Sequence, residues 1–249
     1  TFTISPANFT NNGTLGVTAG TMMTNASFTA NAGTITVSNG AIFNTSNTSI
    51  TNNGTVQGGG NFIVGTGTLT NSGTVAPGTG IDSIDVLTIT GNYTQSVSGL
   101  LDIELEGALP GTGAGFHDQL IVTGAVDLAG NLTVTEINAF SAATFDNFIV
   151  LDASGNTITG TFDGTVTLPS AAYNSPVYGT TVEILRDFFA TIFWEGAGGG
   201  FAGDGINWFD GGNWSTGVIP LSLDDVEITL SGPVNFNGAG EINSIYATQ

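Results

Sequence analysis

The chain has 249 residues, of which 38 are Gly and none is Cys, and it sets 20 Asp and Glu against one basic residue, Arg186, for a formal net charge of -19. That balance argues against nucleic acid and anionic membrane surfaces as partners, since both are bound by Lys and Arg that neutralise phosphate. The lack of Cys removes disulfides and thiolate chemistry, and the longest apolar run, 187–194 (DFFATIFW), is too short to span a bilayer. No signal peptide is visible, so any export signal would lie outside this segment.

The first 80 residues carry a repeat. FTNNGTLGV starts at Phe9, FTANAGTITV at Phe28, ITNNGTVQG at Ile50 and LTNSGTVAPG at Leu69. Their shared glycines, Gly13, Gly33, Gly54 and Gly73, are 20, 21 and 19 residues apart. In each unit an apolar residue and Thr end one short strand. Asn and Gly turn the chain, where both tolerate positive φ, and alternating β-branched residues begin the next strand. A unit of this length cannot bury its own apolar side and must stack on a neighbour, which predicts a parallel β-helix with one repeat per coil. Leu15, Val17, Phe28, Ile35, Val37, Ile50, Val56, Leu69 and Val75 are expected inside, with the turn asparagines bonding from coil to coil.

Residues 81–189 remain β in character. DVLTITGNYTQ, GLLDIELEG, DQLIVTGAVDLAGNLTVTEI and NFIVLDASG alternate apolar and polar residues. They predict longer, less regular coils or hairpins that continue the stack. Residues 190–249 form a Trp- and Gly-rich stretch followed by two further strands, and no window of the chain shows a helical period.

NSGTVAPGTG, LTITGNYTQ, GLLDIELEG, DQLIVTGAVDLAGNLTV and GTFDG together resemble the passenger regions of bacterial autotransporters and related large, repeat-containing surface adhesins. The 193–228 pattern FW…NWFDGGNWSTGVIPLSLDDVEI resembles the W…NW…G…P…DDV element that opens such passengers. The resemblance spans nearly the whole chain. It implies an exported, right-handed β-solenoid at the cell surface that displays a surface rather than catalysing a reaction. In that family the opening element precedes the N-x-G-T coils, whereas here it follows them.

Few residues suggest chemistry. His117, the only histidine, sits between glycine-rich turns and a strand and reads as an exposed loop residue. Asp118, Glu104 and Glu106 invite comparison with a glycosidase carboxylate pair. However, Asp102, Glu104 and Glu106 alternate with Leu101, Ile103 and Leu105, as an outward polar row does. Calcium could be held by Asp204 and Asp210, with Asp224 and Asp225 as further acids, although the spacing matches no standard calcium loop. Otherwise no cofactor is expected. Trp194, Trp208 and Trp214 could stack on sugars or plug the core. Nine N-x-S/T triplets (Asn8, Asn12, Asn25, Asn44, Asn47, Asn53, Asn92, Asn131, Asn213) are nominal glycan acceptors.

The expectation is therefore a non-enzymatic structural or adhesive module, with a carbohydrate-binding or carbohydrate-active β-helix as the alternative and ice binding by Thr rows a third. Its expected partners are copies of itself, head to tail, and surface glycans. Written in series, VNFNGAGEINSIYATQ and TFTISPANFTNNGTLGV restore the family's order of elements. The chain is thus expected to be one period of a tandem array or filament, with Thr1, Phe2, Ile242, Ile245, Tyr246 and Gln249 at the junction. Salt or divalent cations should raise stability by screening the acidic surface.

Overall fold

The computed structural model describes residues 1–7, 9–143, 145–170, 172–186, 192–193, 213–214, 225–229 and 244–248. The chain divides into two compact units, Thr1–Asp187 and Phe188–Gln249. Every element among the described residues is a β-strand.

In the first unit the strands form three ladders that the chain visits in turn. The first holds β1 (Phe2–Ile4), β3 (Thr21–Thr24), β6 (Ile42–Asn44), the first part of β9 (Asn61–Asn71), the first part of β11 (Val86–Gln95), β13 (Gln119–Val122) and β16 (Asn147–Asp152), all parallel. The second holds β4 (Ala30–Asn31), β7 (Ile50–Asn52), the later parts of β9 and β11, β14 (Val126–Leu128) and β17 (Ile158–Gly160), again parallel. The third holds β2 (Thr14–Val17), β5 (Thr34–Val37), β8 (Thr55–Gly58), β10 (Thr74–Pro77), β12 (Leu100–Leu105), β15 (Asn131–Glu136) and β18 (Val166–Thr167), parallel throughout. The architecture is all-β and β-helix-like.

β9 and β11 pass from the first ladder to the second without a break, bending at Gly65 (φ 58°) and Gly91 (φ 128°). Both conformations favour glycine, which lacks the Cβ that would clash. The first two ladders are thereby one sheet, and that sheet is mixed. β20 (Thr181–Leu185) lies antiparallel on β16, and β19 (Val177–Tyr178) lies antiparallel on β20. Parallel pairing in the first ladder ends in that hairpin.

Alternation positions the core. β11 and β12 bury every second residue over their whole length, as a pleated strand with one face inward must. All the expected inward residues of the N-terminal repeats are buried except Leu15, which is half-buried on β2. Phe9, Phe28, Phe43 and Phe62 stack through successive coils with ring centroids 4.9, 5.9 and 4.9 Å apart. Each fully buried Phe contributes about 1.5–3 kcal/mol relative to exposure.

The turn asparagines form the expected ladder. Asn11 donates from Nδ2 to Oδ1 of Asn31 at 2.8 Å, Asn31 to Asn52 at 2.8 Å, and Asn52 to Asn71 at 2.9 Å. Asn31, Asn52 and Asn71 are wholly buried, and the same amides also donate to main-chain carbonyls such as Thr34 and Thr74. The next coil has Gln95 opposite Asn71. There Tyr93 accepts from Asn71 at 3.3 Å and donates to Gln95 Oε1 at 2.7 Å, and Gln95 Nε2 donates to the Asn131 carbonyl at 2.8 Å. A buried amide with all its groups paired holds register, because a slipped coil would leave each one unsatisfied.

The turn glycines have a different role from the one expected. None of Gly13, Gly33, Gly54 and Gly73 has positive φ. At Gly33, Gly54 and Gly73, a Cβ would overlap the carbonyl oxygen of the equivalent glycine one coil earlier. Close approach of stacked turns, rather than a left-handed backbone, demands glycine there.

The second unit contains one parallel three-stranded sheet, β21 (Ile192–Phe193), β22 (Asp225–Thr229) and β23 (Ser244–Thr248), in that order. The two strands anticipated after the Trp-rich stretch are β22 and β23.

Candidate functional site

Past the fourth coil the step lengthens to 33 residues between Asp85 and Asp118, and the added chain lies at a corner rich in acids. Glu104 faces outward from β12 and accepts N–H bonds from Asp82 (3.1 Å) and Ser83 (3.0 Å), fastening the loop that precedes β11. Asp118 is fully buried and accepts from the main-chain N–H of Asp85 at 2.8 Å and of Glu104 at 2.9 Å. Asp85 is buried too, and its Oδ1 has no hydrogen-bond partner among the described residues. Beside them lies a recess of about 190 Å³ lined by Thr55, Gln57, Thr74, Ile81, Asp102 and Glu104. That is below the roughly 300–1,000 Å³ of a small-molecule pocket, and no basic side chain lines it. Asp118 also lines it, and of its three carboxylates Glu104 and Asp118 are committed to holding main chain. The outward row Asp102, Glu104, Glu106 stands opposite buried Leu101, Ile103 and Leu105, as their alternation predicts.

His117 corrects its sequence reading. It is buried rather than exposed, with Nδ1 3.1 Å from the Gly107 carbonyl and its ring edge-on to Phe148 at 5.3 Å. Its main-chain N–H donates to the Leu109 carbonyl at 2.9 Å and its carbonyl accepts from Gly111 at 3.1 Å. The imidazole therefore pins the Glu106–Asp118 excursion onto the core. Among the described residues Nε2 has no partner at hydrogen-bonding geometry. Nothing local in GFHDQL signals burial, because the covering ring, Phe148, comes from a strand 31 residues later.

Burial works on these neighbours in opposite directions. It pushes the Asp118 carboxyl up to about 8, helped by the charges of Glu104 and Asp85 and opposed by the two N–H bonds. It pushes His117 below its ordinary value, against the pull of the Gly107 and Ile149 carbonyls. Asp102 is also raised, by burial and then by Glu104. The folded chain thus retains a proton on Asp118 that the unfolded chain, with an ordinary carboxyl near 4, releases. Its contribution to stability is complete below pH ~4 and is lost as pH rises from there through about 8. For His117 the contribution is lost as pH falls below the unfolded value near 6.5. The unfolding midpoint should therefore be higher at pH 6.5 than at pH 8.5, and Asp118→Asn should flatten that slope. A wild-type midpoint that climbs towards pH 8.5 contradicts this assignment.

Among the expected site residues, Trp214 is fully buried beside buried Asn213, so its ring offers no face to a sugar and Asn213 no amide to a glycan. Trp194 and Trp208 lie outside the described residues, as do Asp204, Asp210 and Asp224 of the calcium set. Asp225 opens β22, paired through its backbone with Ser244. Among the described residues no group of three or more His, Asp and Glu is placed to hold a metal ion. Of the junction residues, Thr1 and Phe2 are exposed, Phe2 by 62%. Ile245 and Tyr246 lie in β23, and Ile242 and Gln249 fall outside the described residues.

The charge distribution separates the coils. All 20 acidic residues lie from Asp82 onward, so the first four coils are uncharged. Their third-ladder strands set Thr14, Thr34, Thr55 and Thr74 in one register column. The column two residues on reads Gly16, Thr36, Gln57, Ala76, so no paired threonine array forms. In comparisons with known proteins the chain matches no family model, no curated protein and no solved structure.

Proposed function

We propose that this chain is a right-handed parallel β-solenoid with a structural and adhesive role at the cell surface, similar in kind to autotransporter passengers, and that it works as one period of a head-to-tail array. The observation that carries this reading is the third ladder. Its central column, Leu15, Ile35, Val56, Val75, Leu101, Leu132 and Val166, is aliphatic throughout and in unbroken parallel register. Among the described residues β2, at its start, pairs on one side only. An edge of this kind is a template for another strand, and a contact that repeats without closing builds a filament. Glu104 and Asp118 of the acidic corner hold main chain, and the adjoining recess is small. Both features favour a structural role over glycan hydrolysis.

Electron microscopy of concentrated protein in physiological salt tests the reading. Unbranched rods one coil wide are expected, together with inactivity on a panel of polysaccharides. Discrete monomers at millimolar concentration, or release of reducing sugar abolished by Asp118→Asn, would overturn it.

A further inference from the structure

We infer that the apolar corner formed by Ile81, Leu109 and Phe116 is a docking surface for a basic, apolar segment of another protein, with one Lys or Arg side chain of that segment seated in the recess beside Asp102 and Glu104. This goes beyond the array reading and does not depend on it. The strands that floor the recess, β8, β10 and β12, each have a neighbour on both sides, so no sheet edge takes part.

The apolar surface comes first. Ile81 is exposed by 88%, Leu109 by 67% and Phe116 by 38%. Two fastenings bring their loops to one strand. The main-chain N–H groups of Asp82 and Ser83 bond to Glu104, and the Phe116 carbonyl accepts from the N–H of Glu106 at 2.9 Å. Glu104 and Glu106 are successive outward residues at the end of β12 and just past it. Leu109 joins them through His117, whose buried ring anchors the excursion and whose N–H holds the Leu109 carbonyl. The Phe116 ring fills the Cβ direction of Gly111, so main chain backs it. These apolar groups are thus held outward by bonded loops, ready for a partner without further ordering. Exposed apolar surface rimmed by polar groups marks an interaction site.

Charge selects the occupant. Asp82, Glu104 and Glu106 lie among these apolar groups, and Asp102 and Asp118 line the recess. Arg186, the only Lys or Arg of the chain, lies over the Tyr173 ring at 5.6 Å and does not line the recess. A second copy brings the same net charge of -19, and nucleic acid or anionic lipid is negative too, so each is repelled, whereas a basic segment is attracted. The recess narrows the choice to a long cationic side chain. Ala76, Pro77 and Ile81 present apolar surface to an alkyl stem, and Asp102 and Glu104 present oxygens to its charged head. Burial and then the charge of Glu104 hold the Asp102 carboxyl above its ordinary value, and a cation set beside both acids opposes each cause.

Calorimetric titration of the full chain tests the surface, with a short capped peptide of alternating Arg and Leu as the probe and its Glu and Leu counterpart as the control. The Arg peptide should bind, more weakly at about 150 mM than at about 20 mM salt, and the Glu peptide should not. Ile81→Ser and Asp102→Asn should each weaken binding by at least about tenfold while leaving the unfolding midpoint unchanged. Asp127→Asn, which neutralises an exposed acid on β14, should change it by less than about twofold. No binding of the Arg peptide overturns the proposal. So does an equal loss from Asp102→Asn and Asp127→Asn, or no loss from Ile81→Ser, because either result reduces the attraction to diffuse charge. Self-association of the wild type that Ile81→Ser abolishes would assign the corner to a second copy and overturn it too. The array reading is tested separately, since rods that persist in Ile81→Ser leave it standing whatever the peptide does.

Discussion

Gly54→Ala should destabilise the protein by about 3 kcal/mol or more, near the upper end for overpacking a close-packed site. The backbone at Gly54 lies outside the left-handed region, so an alanine there would be unstrained in isolation. The cost comes from the neighbour. The new methyl group would overlap the Gly33 carbonyl oxygen and crowd the Ala32 carbonyl. Those atoms are held by the ladder: Gly33 O accepts from Thr55 N at 2.9 Å, the bond that sets the coil spacing at this turn. Relief requires the two coils to move apart and give up that bond. Gly33→Ala and Gly73→Ala meet the same obstacle one coil earlier and later. Gly13→Ala in the single copy meets none and should be neutral or slightly stabilising, by up to about 1 kcal/mol, through reduced freedom of the unfolded chain. Urea unfolding of the four variants checks the set. Equal midpoints for Gly13→Ala and Gly54→Ala would disprove the close-approach explanation.

Asn52→Ala should cost about 3 kcal/mol, and Asn53→Ala, one residue away, less than about 0.5 kcal/mol. Asn52 is wholly buried. It accepts from Asn31 at 2.8 Å and donates to Asn71 at 2.9 Å, Thr74 O at 2.9 Å and Gly54 O at 3.1 Å. Alanine deprives those groups of a partner in a place where water does not enter, and each unsatisfied buried group costs about 1–3 kcal/mol. Asn53 is exposed at the same turn. Asn52→Asp separates bonding from volume: it keeps the shape but sets a carboxylate against Asn71 Oδ1 and two carbonyls. Its instability should be large at pH 7 and shrink in acid, where the protonated group donates again. Thermal unfolding at pH 7 and pH 4 reads both effects.

These two residues show how much of the fold is written locally. The 19–21-residue step, the N-x-G-T core and the alternation around it determine the coil length, the inward residues and the asparagine ladder. Each is a property of a short segment copied several times, and copies related by stacking need only match themselves. The strands of residues 81–189 were legible in the same way, from period-two alternation in β11, β12 and β15. What a repeat cannot specify is where it stops, and stacking alone does not predict the antiparallel seat of β20 on β16.

Tertiary structure decided the rest, and each case turns on a contact distant in sequence. Glycine at the turn is equally consistent with positive φ and with close approach, and only the coil beneath it, about 20 residues earlier, selects the second. His117 lies in a segment with every mark of an exposed loop, and Phe148 from a later strand buries it. From sequence, Glu104 reads as part of an outward polar row and Asp118 as an acid beside a loop histidine. Folding brings main-chain N–H groups against both and makes them fasteners. A side chain's chemical type is local, but its pKa, its partners and its access to solvent are set by residues that reach it only once the coils have stacked.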